Sequence, residues 1–429
     1  MKIKTLIEKL YPICRSITGD GYFESLKIIS EYLPLKIREY PSGQECFDWT
    51  IPLEWNVKDA FVSTIKGERV IDFQKTNLHL ANYSIPFSGR VTLDELKNHL
   101  HTLNELPDAI PYVTYYYKRD WGFCVSKHQY DAIQDAEYNV VVDTELKQGV
   151  LRIGEFVHPG KSQKEIWLST YLCHPSLCND NLSGVAVAVE LMKEISKIKN
   201  NYYTYRLLIV PETIGPIVYL ANNNELIKNI FGGFVITCVG DRGAMTYKRS
   251  IYGNHLIDEM MELVLRESGE KYDIHNYSPF GSDERQYSSP RFKLAFGSLM
   301  RSSHTSKDLS NPFVPDNWKE YHTSLDDLDF IEENSMQQIK GIYLDCIEKI
   351  ELNRYYKAKY FGEPFLSKHN LYVSPSEDLE LCLATFFFQG YADGTRSLID
   401  IHKISNVSIL KLKQVAVAFE EAGLVEVVA

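Results

Sequence analysis

Ile166-Trp-Leu-Ser-Thr-Tyr-Leu-Cys-His174-Pro-Ser-Leu-Cys-Asn-Asp180-Asn-Leu-Ser-Gly184 begins as an apolar run, turns polar at a histidine and leads into the helical pattern Val185 to Ile195. The spacing predicts a strand, a polar turn and a helix, so that His174 and Asp180 leave the strand tip together. A neutral imidazole and a carboxylate are both good zinc ligands, and a loop between strand and helix can fold them onto one ion without straining either element. Asn181 and Ser183, just ahead of Gly184, are expected to cap the helix and hold the Asp180 turn rigid.

Working outward, the same alternation recurs in Arg206 to Val210 followed by Ile217 to Leu220, and in Phe234 to Val239 followed by Ile257 to Leu265. Apolar strands alternating with helices predict an α/β fold with a mixed, largely parallel sheet between helices, and ligands in such sheets collect at the carboxyl ends of the strands. Upstream, Leu6, Leu10, Phe23, Leu26, Ile29 and Leu33 carry helical periodicity on either side of the turn Gly19-Asp20-Gly21. Residues 45–125 change texture to short aromatic segments broken by prolines, which predicts a small β-rich inserted domain. The main domain is therefore expected to comprise 1–44 and 126–355. Over 360–429 the run SLIDIHKIS followed by ILKLKQVAVAFEEAGLVEVV suits a winged helix, with Gly423 stopping the second helix before a strand.

Composition narrows the function classes. The chain has 429 residues, 57 acidic against 46 basic side chains, and a formal net charge of -11. This surplus repels phosphate backbones and anionic membranes. Residues 360–429 hold Lys368, Arg396, Lys403, Lys411 and Lys413 against nine acids, which disfavours nucleic acid as a partner and favours packing on another protein surface, including a second copy in a homo-oligomer. Eight cysteines without CxxC spacing read as reduced core thiols. No stretch approaches a membrane span, and the N-terminal apolar run is broken by Glu8 and Lys9, so a cytoplasmic location is expected.

Two further strand or loop ends carry chemistry. The strand Arg206 to Val210 ends in Pro211-Glu212-Thr213-Ile214-Gly215, placing a carboxylate where a general base would act on water in a metal-assisted hydrolysis. A lone glutamate there is ordinarily a solvated loop acid; the succession of polar strand ends is what raises it. Tyr321-His322-Thr-Ser-Leu-Asp326-Asp327-Leu-Asp329-Phe330 places a histidine before acids expected to begin a long helix running to Ile350, and His322 is the preferred last ligand. His304-Thr305-Ser306-Lys307-Asp308 is a rival copy. Asp241-Arg242-Gly243 and Ser282-Asp283-Glu284-Arg285-Gln286 are polar clusters in which Asp241, Arg242, Glu284 and Arg285 are candidate substrate contacts, with surface salt bridging as the alternative. Tyr112, Tyr115, Tyr116, Tyr117 and Trp121 are placed to stack on sugar or peptide groups or to pack a core.

The order His, Asp before Ser-Gly, Glu before Gly, and a late His-Thr before acids resembles the zinc aminopeptidases of the M28 type. LYPICRSITGDG, HPSLCNDNLSG, PETIG, GDRG, GSDERQY and YHTSLDDLDF more closely resemble a bacterial family of aminopeptidase-like proteins long carried as domains of unknown function (DUF4910/DUF2172 type) and often found near polysaccharide-biosynthesis genes. That resemblance implies an M28-like zinc-peptidase fold in which His174, Asp180 and His322 hold the metal and Glu212 is the catalytic base. Two positions depart from the M28 pattern: Thr213 follows Glu212 where a second glutamate is usual, and Thr237 or Cys238 stands in register with a strand-end aspartate, with Asp241 displaced. Each departure removes one ligand from a two-metal centre, which favours one Zn2+ over two.

Two functions from different classes remain. The first is zinc-dependent hydrolysis of an amide bond in a small peptide or amino-sugar conjugate. The second is a catalytically impaired zinc-binding regulatory or ligand-sensing protein with a winged-helix interaction module.

Overall fold

All seven residues of the strand Glu165–Tyr171 are buried, and it has parallel neighbours on both sides, Thr204–Val210 and Ile230–Val235. A strand covered on both faces has no solvent side to alternate toward, which is why EIWLSTY reads as a nearly continuous apolar run. In the computed structural model, which describes residues 2–301 and 319–428, this strand lies inside an eight-stranded sheet. Its order is Lys36–Pro41, Val150–His158, Thr204–Val210, Glu165–Tyr171, Ile230–Val235, Phe296–Arg301, Met245–Lys248 and Tyr272–His275. The central four strands run parallel; Val150–His158 pairs antiparallel with Thr204–Val210, as Met245–Lys248 does with Phe296–Arg301.

The helix Gly184–Ile195 packs on the Glu165–Tyr171 and Thr204–Val210 strands and is buried along most of its length. Against it lies the helix Ile3–Leu10, whose Ile3, Leu6, Ile7 and Leu10 fall on one face and are all buried. Each such side chain contributes roughly 1.5–3 kcal/mol on leaving water. The second N-terminal helix spans Asp20–Ser30. At the starting ends of the central strands sits a buried ionic knot: Arg206 pairs with both Glu155 and Glu165, Arg38 reaches Glu155 at 2.7 Å, and the Tyr219 hydroxyl donates to Glu155 at 2.5 Å. The carboxyl ends of the same strands are thereby left as the other pole of the sheet.

A separate four-stranded antiparallel sheet is ordered Arg69–Asp72, Glu54–Thr64, Glu137–Lys147 and Phe87–Thr92. The expected boundary at residue 125 therefore falls short, because Glu137–Lys147 is the strand that joins Glu54–Thr64 to Phe87–Thr92. Its aromatic texture is missing (EYNVVVDTELK), which hid the continuation. The short helix Leu93–Asn98 follows the strand Phe87–Thr92. Seven of the eight cysteines are buried, Cys14 is half-buried, and all are free thiols.

The chain divides into two compact units, 1–343 and 344–429, the division falling in the helix Glu333–Leu352. The second unit contains a three-stranded sheet, Asp393–Ser397, Tyr355–Ala358 and Val425–Val427, with helices Leu379–Tyr391, Leu398–Ser405 and Ile409–Glu421. Gly423, at φ 71°, ends the last helix: its N–H and that of Leu424 return to Glu420 O and Phe419 O, a left-handed turn that favours glycine. Among the described residues no helix is long and apolar enough to cross a membrane.

Candidate metal and active site

Past Tyr171 the chain keeps one more sheet contact, Leu172 N–H to Val210 O at 3.0 Å, and then runs free to His174. The carbonyls of that free segment are taken up by Arg15, a fully buried guanidinium that donates to Leu172 O at 3.1 Å and to His174 O at 2.8 Å. Arg15 thus fixes the strand tip from the N-terminal segment. Burial lowers the pKa of His174 to about 4, so its imidazole is neutral near pH 7 and keeps a lone pair for a ligand.

The turn Cys178–Ser183 is held across loops rather than along its helix. Asn181 Nδ2 donates to Thr170 Oγ1 and Tyr171 O, while its Oδ1 accepts from Cys238 N–H. Ser183 Oγ accepts from Val239 N–H, and Asn179 Oδ1 from Gly240 N–H. Ser183 occupies the N-cap position but makes no side-chain cap, and Asn181 is not a cap either. This corrects the sequence expectation. The strand Ile230–Val235 ends early, leaving the N–H groups of Cys238, Val239 and Gly240 without sheet partners, and these side chains satisfy them; each buried N–H orphaned would cost about 1–3 kcal/mol. Gly184 allows the close approach, since a Cβ there would lie 2.3 Å from Asn181 Oδ1 and 2.4 Å from Ile236 O.

Glu212 follows the strand Thr204–Val210. Its carboxylate accepts from Ser282 Oγ at 3.0 Å, and its Oε2 lies 3.7 Å from His174 Nε2. Burial first, and then the negative charge of Asp180, pushes its pKa above the ordinary carboxylate range.

His322 arrives from the far end of the unit. The acids after it do not begin the helix, which starts only at Glu333. What fixes His322 is a clasp between loops: Asp326 accepts the N–H groups of Asn179 at 2.5 Å and Asp180 at 2.8 Å, Cys178 N–H donates to Asp326 O, and Tyr112 N–H donates to His322 O at 2.8 Å. The rival His304 to Asp308 lies outside the described residues.

One nitrogen from each histidine and one Asp180 oxygen all lie within 4.8 Å of one another. The two oxygens of Asp180 are used differently. Oδ1 accepts from the Tyr171 hydroxyl at 2.5 Å and faces the Cys238 thiol at 3.7 Å. Oδ2 stands 3.1 Å from His322 Nε2, yet receives no hydrogen bond of acceptable geometry although it is buried. Burial opposes ionisation of Asp180, but His174, His322 and the Tyr171 hydroxyl outweigh it and hold the carboxyl well below its usual range. An orphaned, ionised oxygen facing two imidazoles fits a divalent cation, and the N, O, N donor set with an open side toward Glu212 fits zinc in a mononuclear site.

The four candidate substrate contacts do not converge. Asp241 is 1% exposed, and its oxygens accept from Asn179 Nδ2 and Gly243 N–H, so it braces the ligand turn. Arg242 points to the surface and pairs with Glu332 at 2.6 Å. Glu284 forms a buried ion pair with Lys248 at 2.7 Å. Arg285 alone comes near the site, donating to Thr213 Oγ1 at 3.1 Å. Their hydrophilic character made them look like readers of substrate; buried partners absorb two of them. Arg15, Tyr171, Ser282 and Asp326 carry the geometry instead, and no local spacing distinguishes them.

Over Glu212 and the histidines lies a cavity of ≈ 250 Å³, lined mainly by Trp49, Tyr112, Tyr116, Tyr117 and Ile214. Tyr112 packs its ring 5.0 Å from that of His174 and 5.3 Å from that of His322. Tyr115 is buried elsewhere, with its hydroxyl beside His101 at 2.5 Å, and Trp121 stacks between His99 and Phe87.

Residues 4–353 match the model of the domain of unknown function DUF4910. The chain belongs to the DUF4910 family. A Clostridium acetobutylicum protein, provisionally named as a polysaccharide biosynthesis protein with an aminopeptidase-like domain, is 43% identical over 100% of this DUF4910 chain and 96% of its own length. A crystal structure from the same organism, provisionally described as a peptidase, is similar at 43% identity with a TM-score of 0.89, covering 99% of this chain and 96% of the other. A zinc aminopeptidase from Bacillus subtilis shares 14% identity and a TM-score of 0.57 over 81% of this chain and 93% of its own. The DUF4910 chain therefore has the M28-type aminopeptidase fold expected from its motifs.

Proposed function

We propose that this chain is a zinc-dependent hydrolase of the aminopeptidase type, cleaving an amide bond of a small peptide or amino-sugar conjugate. The observation that carries the reading is the Glu212 carboxylate 3.7 Å from His174 Nε2, beside a His174, Asp180 and His322 cluster at the floor of an aromatic cavity. His174, Asp180 and His322 would hold a zinc ion, which would supply Lewis acidity toward water and a substrate carbonyl. Glu212, with its raised proton affinity, takes the proton from the attacking water and returns it to the departing amine. Ser282 orients the carboxylate for both transfers, and the neutral His174 keeps its lone pair off a proton. Trp49, Tyr112, Tyr116 and Tyr117 exclude bulk water and present ring faces to the acyl or sugar group.

One ion is favoured over two because the Tyr171 hydroxyl and Cys238 thiol engage Asp180 Oδ1, and Thr213 offers no carboxylate. The name of the 43% identical relative extends a link with polysaccharide biosynthesis to this chain, and the acidic surface and lack of a membrane-crossing helix among the described residues suit a cytoplasmic enzyme. The C-terminal helices and sheet are read as a winged helix that docks on protein, including a second subunit, rather than on DNA. The second reading, a ligand sensor without turnover, is favoured by the two missing metal-ligand positions.

The test is zinc content and turnover of the parent and Glu212→Gln against aminoacyl amides and N-acylated amino sugars. Retained zinc with lost turnover is expected. A Gln variant as active as the parent would overturn the mechanism, and a zinc-loaded parent that binds but never cleaves these compounds would favour the sensor.

A further inference from the structure

Thr213, the residue after Glu212, sits at φ 65° and ψ -65°. Ile214 N–H donates to Glu212 O at 2.7 Å, closing a three-residue γ-turn with Thr213 at its centre. This is a conformation that L-residues rarely hold and β-branched ones avoid most. Something must therefore hold it. Two contacts do. Thr213 N–H donates to Asp283 Oδ1 at 2.7 Å, and Arg285 Nη2 donates to Thr213 Oγ1 at 3.1 Å.

The clamp is itself anchored. Glu284, between the two clamping residues, is locked to the buried Lys248 at 2.7 Å. Tyr287, at the end of the same short helix, stacks on Phe296 with centroids 4.0 Å apart, and its hydroxyl lies 2.9 Å from Ser169 Oγ in the Glu165–Tyr171 strand. The strand that delivers His174 thus also fixes the segment that grips the turn after Glu212. Ser282 in that segment reaches the Glu212 carboxylate directly.

We infer that Asp283 and Arg285 are positioning residues that hold the strained turn at Thr213 and so keep the Glu212 carboxylate aimed at the His174, Asp180 and His322 cluster. This rests on Glu212 being the proton-transfer group. The role of Asp283 is that of an acceptor oxygen: burial, and then the charge of Glu212, pushes its pKa well above the ordinary carboxylate range, so a neutral amide of the same shape serves as well. Glycine at position 213 adopts positive φ without strain, so it lessens the need for the clamp.

The experiment uses the zinc-loaded full chain as Asp283→Ala, Asp283→Asn, Arg285→Ala and Asp283→Ala with Thr213→Gly, with crystal structures, zinc content, kcat and KM for each. All are expected to keep the zinc content of the parent. Asp283→Ala should release residue 213 to negative φ, withdraw Glu212 from His174 and lower kcat about 10²–10³-fold at unchanged KM. Arg285→Ala should lower kcat by less, Asp283→Asn should behave as the parent, and adding Thr213→Gly should recover at least about tenfold in kcat. A purely structural role predicts no such rescue. If Asp283→Ala fails to fold, Arg285→Ala and Asp283→Asn decide the matter. A folded Asp283→Ala that keeps the turn and Glu212 in place, or an Asn variant as impaired as the Ala variant, overturns the inference. A parent that hydrolyses nothing defeats the proposed function instead, while the crystal structures still decide the clamp.

Discussion

Tyr171 donates its hydroxyl to Oδ1 of Asp180 at 2.5 Å, leaving Oδ2 as the carboxylate oxygen that faces His322. The two ends of one buried carboxylate are therefore divided between a protein donor and a candidate cation.

Replacing Tyr171 by phenylalanine removes the stronger donor from a buried, charged acceptor. The metal-free variant should lose about 1–3 kcal/mol of unfolding free energy in urea titrations, while zinc content stays at one ion per chain because Oδ2 is untouched. Two tightly held equivalents in the parent would contradict the single-ion arrangement.

Metal retention should depend on all three converging side chains. His174→Ala and His322→Ala each leave two ligands, and a drop in zinc affinity of at least about 100-fold is expected, read by competition with a chromogenic chelator. Arg242→Ala, whose partner is the surface residue Glu332, should bind zinc as the parent does. Full retention in His322→Ala would return attention to His304.

Asp326 joins the loop of His322 to the turn of Asp180 through two backbone N–H groups. Asp326→Ala orphans both, at about 1–3 kcal/mol each, and loosens two ligands at once. Lower thermal stability together with weaker zinc binding is the expected pair of effects, measured by calorimetry with and without metal. Stability loss with unaltered zinc affinity would show that the clasp does not govern the site.

Stability toward acid should reflect the ionic knot at the opposite pole of the sheet. Burial opposes the charge of Glu155, but Tyr219, Arg38 and Arg206 hold its pKa below the ordinary 4.5. A carboxyl depressed in the folded state contributes stability that is complete above its unfolded pKa and is lost as pH falls through the folded value. Glu155→Gln should therefore be less stable than the parent near neutral pH, with the gap closing below about pH 4.5. Urea unfolding across that interval would expose the error as a gap that does not change with pH.

Much of the frame could be read along the chain. EIWLSTY announces a doubly covered strand, the helical spacing of Ile3 to Leu10 announces a buried face, and the strand ends carrying His174 and Glu212 announce where chemistry collects. The strand Glu137–Lys147 escapes a reading along the chain as part of the small sheet because its partners lie between 45 residues (Thr92 with Glu137) and 93 residues (Glu54 with Lys147) earlier, and pairing at that distance leaves no local mark.

The polar residues divide in the same way. Asp241 and Glu284 are indistinguishable in sequence from substrate contacts, yet one braces the Asn179 turn and the other neutralises Lys248. Asp326 looked like the first turn of a helix and instead ties two loops together.

What the sequence determined by itself was the α/β succession, the family motifs and the placing of His174, Asp180 and Glu212 at strand tips, because period and turn chemistry act between near neighbours. Only the three-dimensional fold decided how the Asp326 clasp and Tyr112 hold His322 beside them, that Tyr171 takes half of Asp180, and that Asp283 and Arg285 grip Thr213. Those relations depend on which strand ends the sheet brings side by side, and on the need of each buried donor and acceptor for a partner that the local chain cannot offer.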